Sequence, residues 1–246
     1  RQRDLEKLPL YSEGWIYLQN LSSMVPVLVL DPQTGESILD LCAAPGSKTT
    51  QIAARMMNEG RITALEKDEV RAQKLRNTVA RQGVLVEVIQ ADGVSWAKSH
   101  PQTFDRVLVD APCSAEGRFD LNEPSSFLYW KPEIVTKNAK LQRRLIAAGL
   151  YALKPGGTLV YSTCTFAPEE NEAVVQHALD LERGNLTLEE IRLEIPNRMP
   201  GLLAWGENSY DPNMKKCLRV LPTDTMEGFF VAKLRKSIPS PFQGEG

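Results

Sequence analysis

The sequence predicts an α/β protein with a mostly parallel sheet, and three observations carry that prediction. From Ser37 onward, short apolar runs alternate with longer amphipathic stretches, as in successive βαβ units. The apolar runs lead into small, acidic or sulfur-bearing residues: Cys42, Glu66, Asp92, Asp110 and Cys164. In an open parallel sheet such strand ends face one crevice, where ligands bind. Gly156-Gly157, after Lys154-Pro155, marks a tight turn into a further strand.

Strands are expected at 37–41, 61–66, 86–90, 106–110 and 158–162, with a last one at 228–234. Helices fill 48–57, 69–82, 133–152 and 169–182, where apolar residues recur at helical spacing. Ahead of the sheet, Asn20 caps a short helix reaching Leu30. Asp31-Pro32 ends it, because the residue before a proline disfavours the helical backbone. Residues 1–34 read as an N-terminal extension, the end of a longer upstream region, and 35–236 as the main α/β domain. Residues 237–246, rich in Pro, Ser and Gly, read as a disordered tail.

A chain of 246 residues, 42% hydrophobic, is long enough for one large α/β core. It has no uninterrupted apolar run of about 18 residues and no signal-peptide pattern, so a cytoplasmic protein without a membrane partner is expected. Cysteines 42, 113, 164 and 217 form neither a disulfide framework nor a paired metal knuckle; free thiols and no metal are expected. With 29 basic and 31 acidic residues the net charge is −2, so a nucleic-acid partner would need a local basic face.

At the first strand end, Cys42, Ala43, Ala44, Pro45, Gly46, Ser47 and Lys48 form a small-residue turn into a helix. Such a turn lets backbone approach a ligand, and the helix N-terminus offers free N–H groups. Glu66 can accept both hydroxyls of a ribose, and Asp92 is placed to meet an adenine amino group. Either acid alone reads equally well as a solvated loop residue. Together they suit a nucleoside cofactor with no phosphate to neutralise. The dinucleotide glycine pattern and the phosphate-binding P-loop pattern are both missing, which disfavours a dinucleotide oxidoreductase.

The fourth and fifth strands end in Asp110-Ala111-Pro112-Cys113-Ser114 and Tyr161-Ser162-Thr163-Cys164-Thr165. One cysteine is most often a small buried hydrophobe. Two at adjacent strand ends in one crevice point instead to sulfur chemistry. Leu-Asp-Leu-Cys-Ala-Ala-Pro-Gly-Ser-Lys-Thr, Val-Asp-Ala-Pro-Cys-Ser-Ala-Glu-Gly, Leu-Lys-Pro-Gly-Gly-Thr-Leu-Val-Tyr-Ser-Thr-Cys-Thr and Pro-Glu-Glu-Asn-Glu follow one another in order. Together these motifs resemble the Nop/Sun family of RNA 5-methylcytosine methyltransferases, over residues 19–234.

The resemblance implies a Rossmann-like class I fold dependent on S-adenosylmethionine, with a seven-stranded sheet closed by an antiparallel strand. It implies a monomer acting on RNA, ribosomal RNA ahead of transfer RNA. Cys164 is then the nucleophile that adds to carbon 6 of a cytosine, and Cys113 helps release the product. Asp110 is the donor to ring nitrogen 3. The 42–48 turn, with Glu66, Arg71, Asp92 and Asp110, holds the cofactor. Two rivals are an exocyclic-amine methyltransferase and a non-catalytic RNA-binding protein on a decayed scaffold. The first wants an Asn- or Asp-Pro-Pro-aromatic motif where this chain has Asp110-Ala111-Pro112-Cys113. The second conflicts with intact cysteines and acids.

For RNA, Lys137, Lys140, Arg143 and Arg144 fall at helical spacings, and Lys215, Lys216 and Arg219 form a second basic group. Solvated faces are the ordinary reading of such groups; beside a base-modifying crevice they become candidate phosphate contacts. Phe119, Tyr129 and Trp130 are candidate stacking partners for unpaired bases. The loop 117–130 departs from the family in carrying few basic residues.

Overall fold

In a computed structural model, which describes residues 2–239, the chain forms one twisted sheet flanked by helices. Most of the expected tail, 240–246, lies outside the described residues. Ser37–Asp40 (β1), Arg61–Glu66 (β2), Glu87–Gln90 (β3), Phe104–Asp110 (β4) and Leu153–Thr163 (β5) pair in parallel, in the order β3-β2-β1-β4-β5. The central strands are buried on both faces, so they read as continuous apolar runs such as Val107-Leu108-Val109.

Helices Ser47–Arg55 (α4), Glu69–Arg81 (α5), Gly93–Ala97 (α6), Pro132–Ala152 (α7) and Glu172–Glu182 (α8) cross between or after these strands. They follow two short N-terminal turns, Gln2–Leu5 (α1) and Pro9–Ser12 (α2), and Leu21–Leu30 (α3). The sequence fits the caps: Asn20, Asp68 and Asp92 accept backbone N–H bonds at the starts of α3, α5 and α6. Asp31 ends α3 in the left-handed conformation. Val25, Val27 and Leu30 of α3 pack with Ile38, Leu108, Val160 and Val231, so α3 shares the domain core.

The sheet corrects the seven-strand expectation: among the described residues it has nine strands, four of them beyond the parallel five. Phe229–Lys236 (β11) is antiparallel to β5, pairing Phe230 with Thr163 and Arg235 with Thr158. Its far edge would otherwise be open. Leu218–Val220 (β10), with Arg198–Pro200 (β7) beyond it, covers one end, and Leu186–Leu188 (β6) covers the other. A two-stranded hairpin, Ala204–Trp205 (β8) and Asn208–Ser209 (β9), stands apart. Three-residue strands are too short to show a period in sequence.

Helix α8 begins at Glu172 rather than at 169. Residues 168–171 instead form turns closed by Glu170 N–H to Ala167 and Asn171 N–H to Pro168. Arg219 leaves the expected basic face altogether. It lies buried on β10 with Glu172, through Nε–Oε1 at 2.8 Å and Nη2–Oε2 at 2.6 Å. This bidentate pair ties β10 to the start of α8. Arg219→Met should strand a buried carboxylate and cost about 3–5 kcal/mol. Adding Glu172→Gln, which keeps an acceptor for Leu202 N–H, should recover a large part of that loss. Urea unfolding of the single and double variants checks this; equal midpoints for the two would refute it.

Candidate active site

Two cavities open at the carboxyl ends of the parallel strands. One, of about 480 Å³, holds Cys113, Cys164, Asp110 and Lys48. The other, of about 500 Å³, holds Glu66, Asp68, Asp92 and Gly93. Cys42, Arg71 and Pro112 border both, so the cavities meet at the first strand end.

In the sulfur cavity, Cys113 and Cys164 stand with Sγ atoms 3.2 Å apart. The register pairing Asp110 with Ser162 places the two loops side by side. Gly117 N–H donates to the Cys164 carbonyl at 2.9 Å, and Gly228 N–H to the Gly117 carbonyl at 2.8 Å. A Cβ on Gly117 would lie 2.2 Å from the Gly228 carbonyl oxygen, so this packing requires glycine.

Each thiol has a different environment. Cys113 donating to Cys164, aided by Arg118 and Lys48, pulls the Cys164 thiol below its ordinary range despite burial. That same contact, with burial, holds Cys113 well above it. Burial pushes up Cys42 and Cys217 as well. Cys164 is therefore the cysteine prepared to be a thiolate.

Asp110 accepts from Ser162 Oγ at 2.7 Å and pairs with Lys48 Nζ at 2.7 Å. The Lys48 ammonium also donates to Ser23 Oγ at 2.8 Å and lies 5.3 Å from the Phe229 ring centroid. The 42–48 turn thus divides. Cys42 faces both cavities, whereas Ala43, Ala44, Pro45, Ser47 and Lys48 line only the sulfur cavity. Gly46 caps α4 with φ 110, and a Cβ there would lie 3.0–3.2 Å from side-chain atoms of Leu75 and Thr78, a position that suits only glycine. Asp110 sits with the sulfurs and not with Glu66 and Asp92.

In the second cavity Glu66 is buried, accepting from Asp68 N–H at 2.9 Å, with Arg71 3.4 Å from its other oxygen. Arg71 also donates to the Ala44 carbonyl, bracing the first turn. Asp92 takes Ser95 N–H and Lys67, and the Lys67 bond holds its carboxyl below the usual range. Two ionised or buried acids beside small residues form an acceptor set matched to ribose hydroxyls and an amino group, which fits a nucleoside cofactor.

Several site residues escaped sequence reasoning. Tyr17, Gln19, Asn20 and Ser23 of the N-terminal segment line the sulfur cavity, and Ser22 Oγ binds the Glu227 carbonyl. Arg118, the only basic residue in the 117–130 loop, lines it too and pairs with Glu227 at 3.5 Å. That isolation was the available signal. Of the stacking candidates, Phe119 and Trp130 pack edge-on at 6.2 Å, while Tyr129 is 82% exposed. Lys216 is engaged with the Leu188 carbonyl. Lys137, Lys140 and Arg144 line one groove on α7, and Leu141 joins that groove to the second cavity.

The fold and the paired cavities define a Rossmann-like methyltransferase. The chain belongs to the family described as 16S rRNA methyltransferase RsmB/F, which it matches over residues 27–235. It is 44% identical over 228 residues to a tRNA (cytosine(49)-C(5))-methyltransferase of Pyrococcus abyssi, covering 92% of this chain and 72% of that protein. It is 40% identical over 246 residues to the ribosomal RNA small subunit methyltransferase F of Citrobacter koseri, covering 97% of this chain and 49% of that one. The chain therefore spans about half the length of the latter relative. A methyltransferase homologue from Pyrococcus horikoshii superposes with a TM-score of 0.78 at 36% identity, covering 94% and 72% of the two chains. NSun6 from the same organism, solved with SFG, superposes at 0.78 and 34% identity, covering 95% and 56%. Among the described residues no helix is long and apolar enough to cross a membrane.

Asp40, at the end of β1, gives a pH test of this burial. Its Oδ2 accepts from Thr49 Oγ1 at 2.7 Å while Oδ1 has no partner, and burial raises its carboxyl from 3.8 to about 6. Between those values the folded state holds a proton that the unfolded state has lost, so folding stability falls as pH rises. Asp40→Asn removes that ionisation. Its melting temperature relative to the unaltered protein should rise as pH goes from 4 to above 6; a constant difference would refute this.

Proposed function

We propose that the chain methylates carbon 5 of a cytosine in RNA, from S-adenosylmethionine, through a covalent bond between Cys164 and carbon 6. The observation that carries this reading is the sulfur pair: a cysteine prepared as thiolate, touching a second one kept protonated. Carbon 5 of cytosine is a weak nucleophile. Addition of the Cys164 thiolate at carbon 6 makes the ring enamine-like, so that carbon 5 becomes reactive, splitting one hard step into two. Bound S-adenosylmethionine supplies an electrophilic methyl group. Glu66 and Asp92 would hold its ribose and adenine, and Cys42 and Arg71 border the passage to the sulfurs. The relative solved with SFG, an analogue of that cofactor, supports S-adenosylmethionine as the cofactor class.

Asp110 would accept from the exocyclic amine of the target base. The proton gained by ring nitrogen 3 would come through the Lys48–Asp110 pair, which stands ready beside the sulfurs. After methyl transfer Cys113, no longer donating to a Cys164 thiolate and having passed its own proton to solvent, would take the carbon 5 proton, so that elimination breaks the bond to carbon 6 and returns Cys164 as thiolate. The target cytosine has to leave its stack to reach Cys164, which favours loops or bulges of a ribosomal or transfer RNA. Relatives named for each substrate class support that range.

Incubation with S-adenosylmethionine and substrate RNA, followed by denaturing electrophoresis, tests the chemistry. Cys113→Ala should accumulate a covalent RNA–protein species, and Cys164→Ala should form none and transfer no methyl group. The reverse pattern would exchange the two roles; a covalent species from neither variant would sink the mechanism.

The groove on α7 is the proposed phosphate contact. Binding should weaken with salt, with a log–log slope that falls by about 0.7–0.9 for each contact removed. Replacing Lys140 and Arg144 by Gln should flatten the slope accordingly in fluorescence-anisotropy titrations. An unchanged slope would make them ordinary solvated residues.

A further inference from the structure

The motif Pro168-Glu169-Glu170-Asn171-Glu172 contributes no group to the chemistry above, yet Glu170, Asn171 and Glu172 are fully buried. Burial of three polar side chains in a row is costly unless each is hydrogen-bonded. Glu172 is accounted for by Arg219 and Leu202. We propose that Glu170 and Asn171 are positioning residues that set the separation of the two reactive sulfurs, Glu170 by fixing the backbone around Cys113 and Asn171 by fixing that around Cys164.

The hydrogen bonds divide along that line. Ser114 N–H donates to both oxygens of Glu170, at 3.1 and 3.2 Å. Gln142 Nε2 donates to Glu170 Oε2 at 2.6 Å and to the Pro112 carbonyl at 2.8 Å. The peptide groups on both sides of Cys113 are therefore held, one by Glu170 and the other by its partner Gln142. Asn171 holds instead the residues on either side of the other sulfur. Thr163 Oγ1 donates to Asn171 Oδ1 at 2.6 Å, and Asn171 Nδ2 donates to the Thr165 carbonyl at 2.9 Å, bracketing Cys164. A contact between Ser114 Oγ and Thr165 Oγ1 at 2.6 Å then laces the two loops directly. The Tyr161 hydroxyl donates to the Glu170 carbonyl at 2.5 Å and anchors the motif to β5.

Because Glu170 and Asn171 are consecutive, the two loops are referenced to one short, buried piece of backbone. The delayed start of α8 follows from this: residues 168–171 turn so that their side chains reach the loops instead of continuing a helix. A sulfur–sulfur hydrogen bond at 3.2 Å is lost with a drift of about 1 Å. With it goes the principal cause of the depressed Cys164 thiol.

The inference rests on the preceding reading only in naming Cys164 the nucleophile, and its main test needs no RNA. Alkylation of Cys164 by iodoacetamide is followed against pH by peptide mass spectrometry. The unaltered protein should show a midpoint below the ordinary thiol value of about 8.5. Glu170→Ala and Asn171→Ala, folded by circular dichroism, should shift that midpoint upward by about one unit. They should also slow single-turnover methyl transfer by about 100-fold, with Kd for S-adenosylmethionine unchanged. Glu170→Gln, which keeps an acceptor for Ser114 N–H, should retain the original midpoint. The charged groups that face Cys164 stay in place in every variant: Asp110 from β4, Lys48 from α4, and Arg118 from the loop beyond β4.

An unmoved midpoint in the folded alanine variants would overturn the proposal, as would a midpoint that moves together with loss of S-adenosylmethionine binding. Should the alanine variants not fold, Ser114→Ala, which removes only the hydroxyl lace, must raise the midpoint or the proposal fails. A shifted midpoint in a protein that methylates no RNA would uphold the positioning role and refute the reaction. A methylating protein with unmoved midpoints would do the opposite.

Discussion

Two sulfurs in contact cannot both carry a negative charge. At 3.2 Å and an effective dielectric near 20, like charges repel by about 5 kcal/mol. One thiol must keep its proton, and it gives that proton to the other as a hydrogen bond. At Cys164 the hydrogen bond from Cys113, with Arg118 and Lys48, favours the thiolate against burial and the Asp110 carboxylate. The asymmetry of the proposed reaction, with one cysteine attacking and the other assisting release, follows from a single contact. Much of the surrounding structure serves to hold that contact.

The parallel sheet brings the strand ends to one edge, but it does not fix loop separations to a fraction of an ångström. That is done after the strands end. Gly117 and Gly228 allow three loops to touch through their backbones. Glu170, Asn171 and Gln142 supply the fixed acceptors and donors that buried peptide groups require. The antiparallel strands beyond β5 belong to the same construction, since Arg219 on β10 holds the start of α8 through Glu172. Polar groups buried behind the site thus carry the precision that its chemistry needs.

The two cavities divide the labour in a way that charge makes legible. Acidic acceptors, Glu66 and Asp92, gather in one cavity, suited to hydroxyl and amino donors. The other combines an ammonium, a carboxylate and two thiols. Cys42 and Arg71 stand at the junction, where a methyl group would have to pass. The groove of Lys137, Lys140 and Arg144 adjoins the acidic cavity through Leu141, so a nearly neutral chain still carries a local basic face.

The sequence by itself determined the α/β class, the order of the parallel strands' residues along the chain and which cysteines and acids stand at the strand ends. These are local properties: apolar runs, caps such as Asn20 and Asp68, and cysteines at strand ends are all written within a few residues of one another. The nine-strand extent of the sheet was not legible, because three-residue strands such as β6, β7 and β10 exist only through pairing with distant partners. Nor was the division of the 42–48 turn, in which Lys48 reaches Asp110 on β4, nor the withdrawal of Arg219 from the surface to Glu172. The same holds for Tyr17, Gln19, Asn20 and Ser23 lining the sulfur cavity and for Glu170 and Asn171 bracing its loops. Each of these depends on which partner a charged or polar side chain finds when it is buried, and that partner lies far away in sequence. Only the packed fold brings the two together.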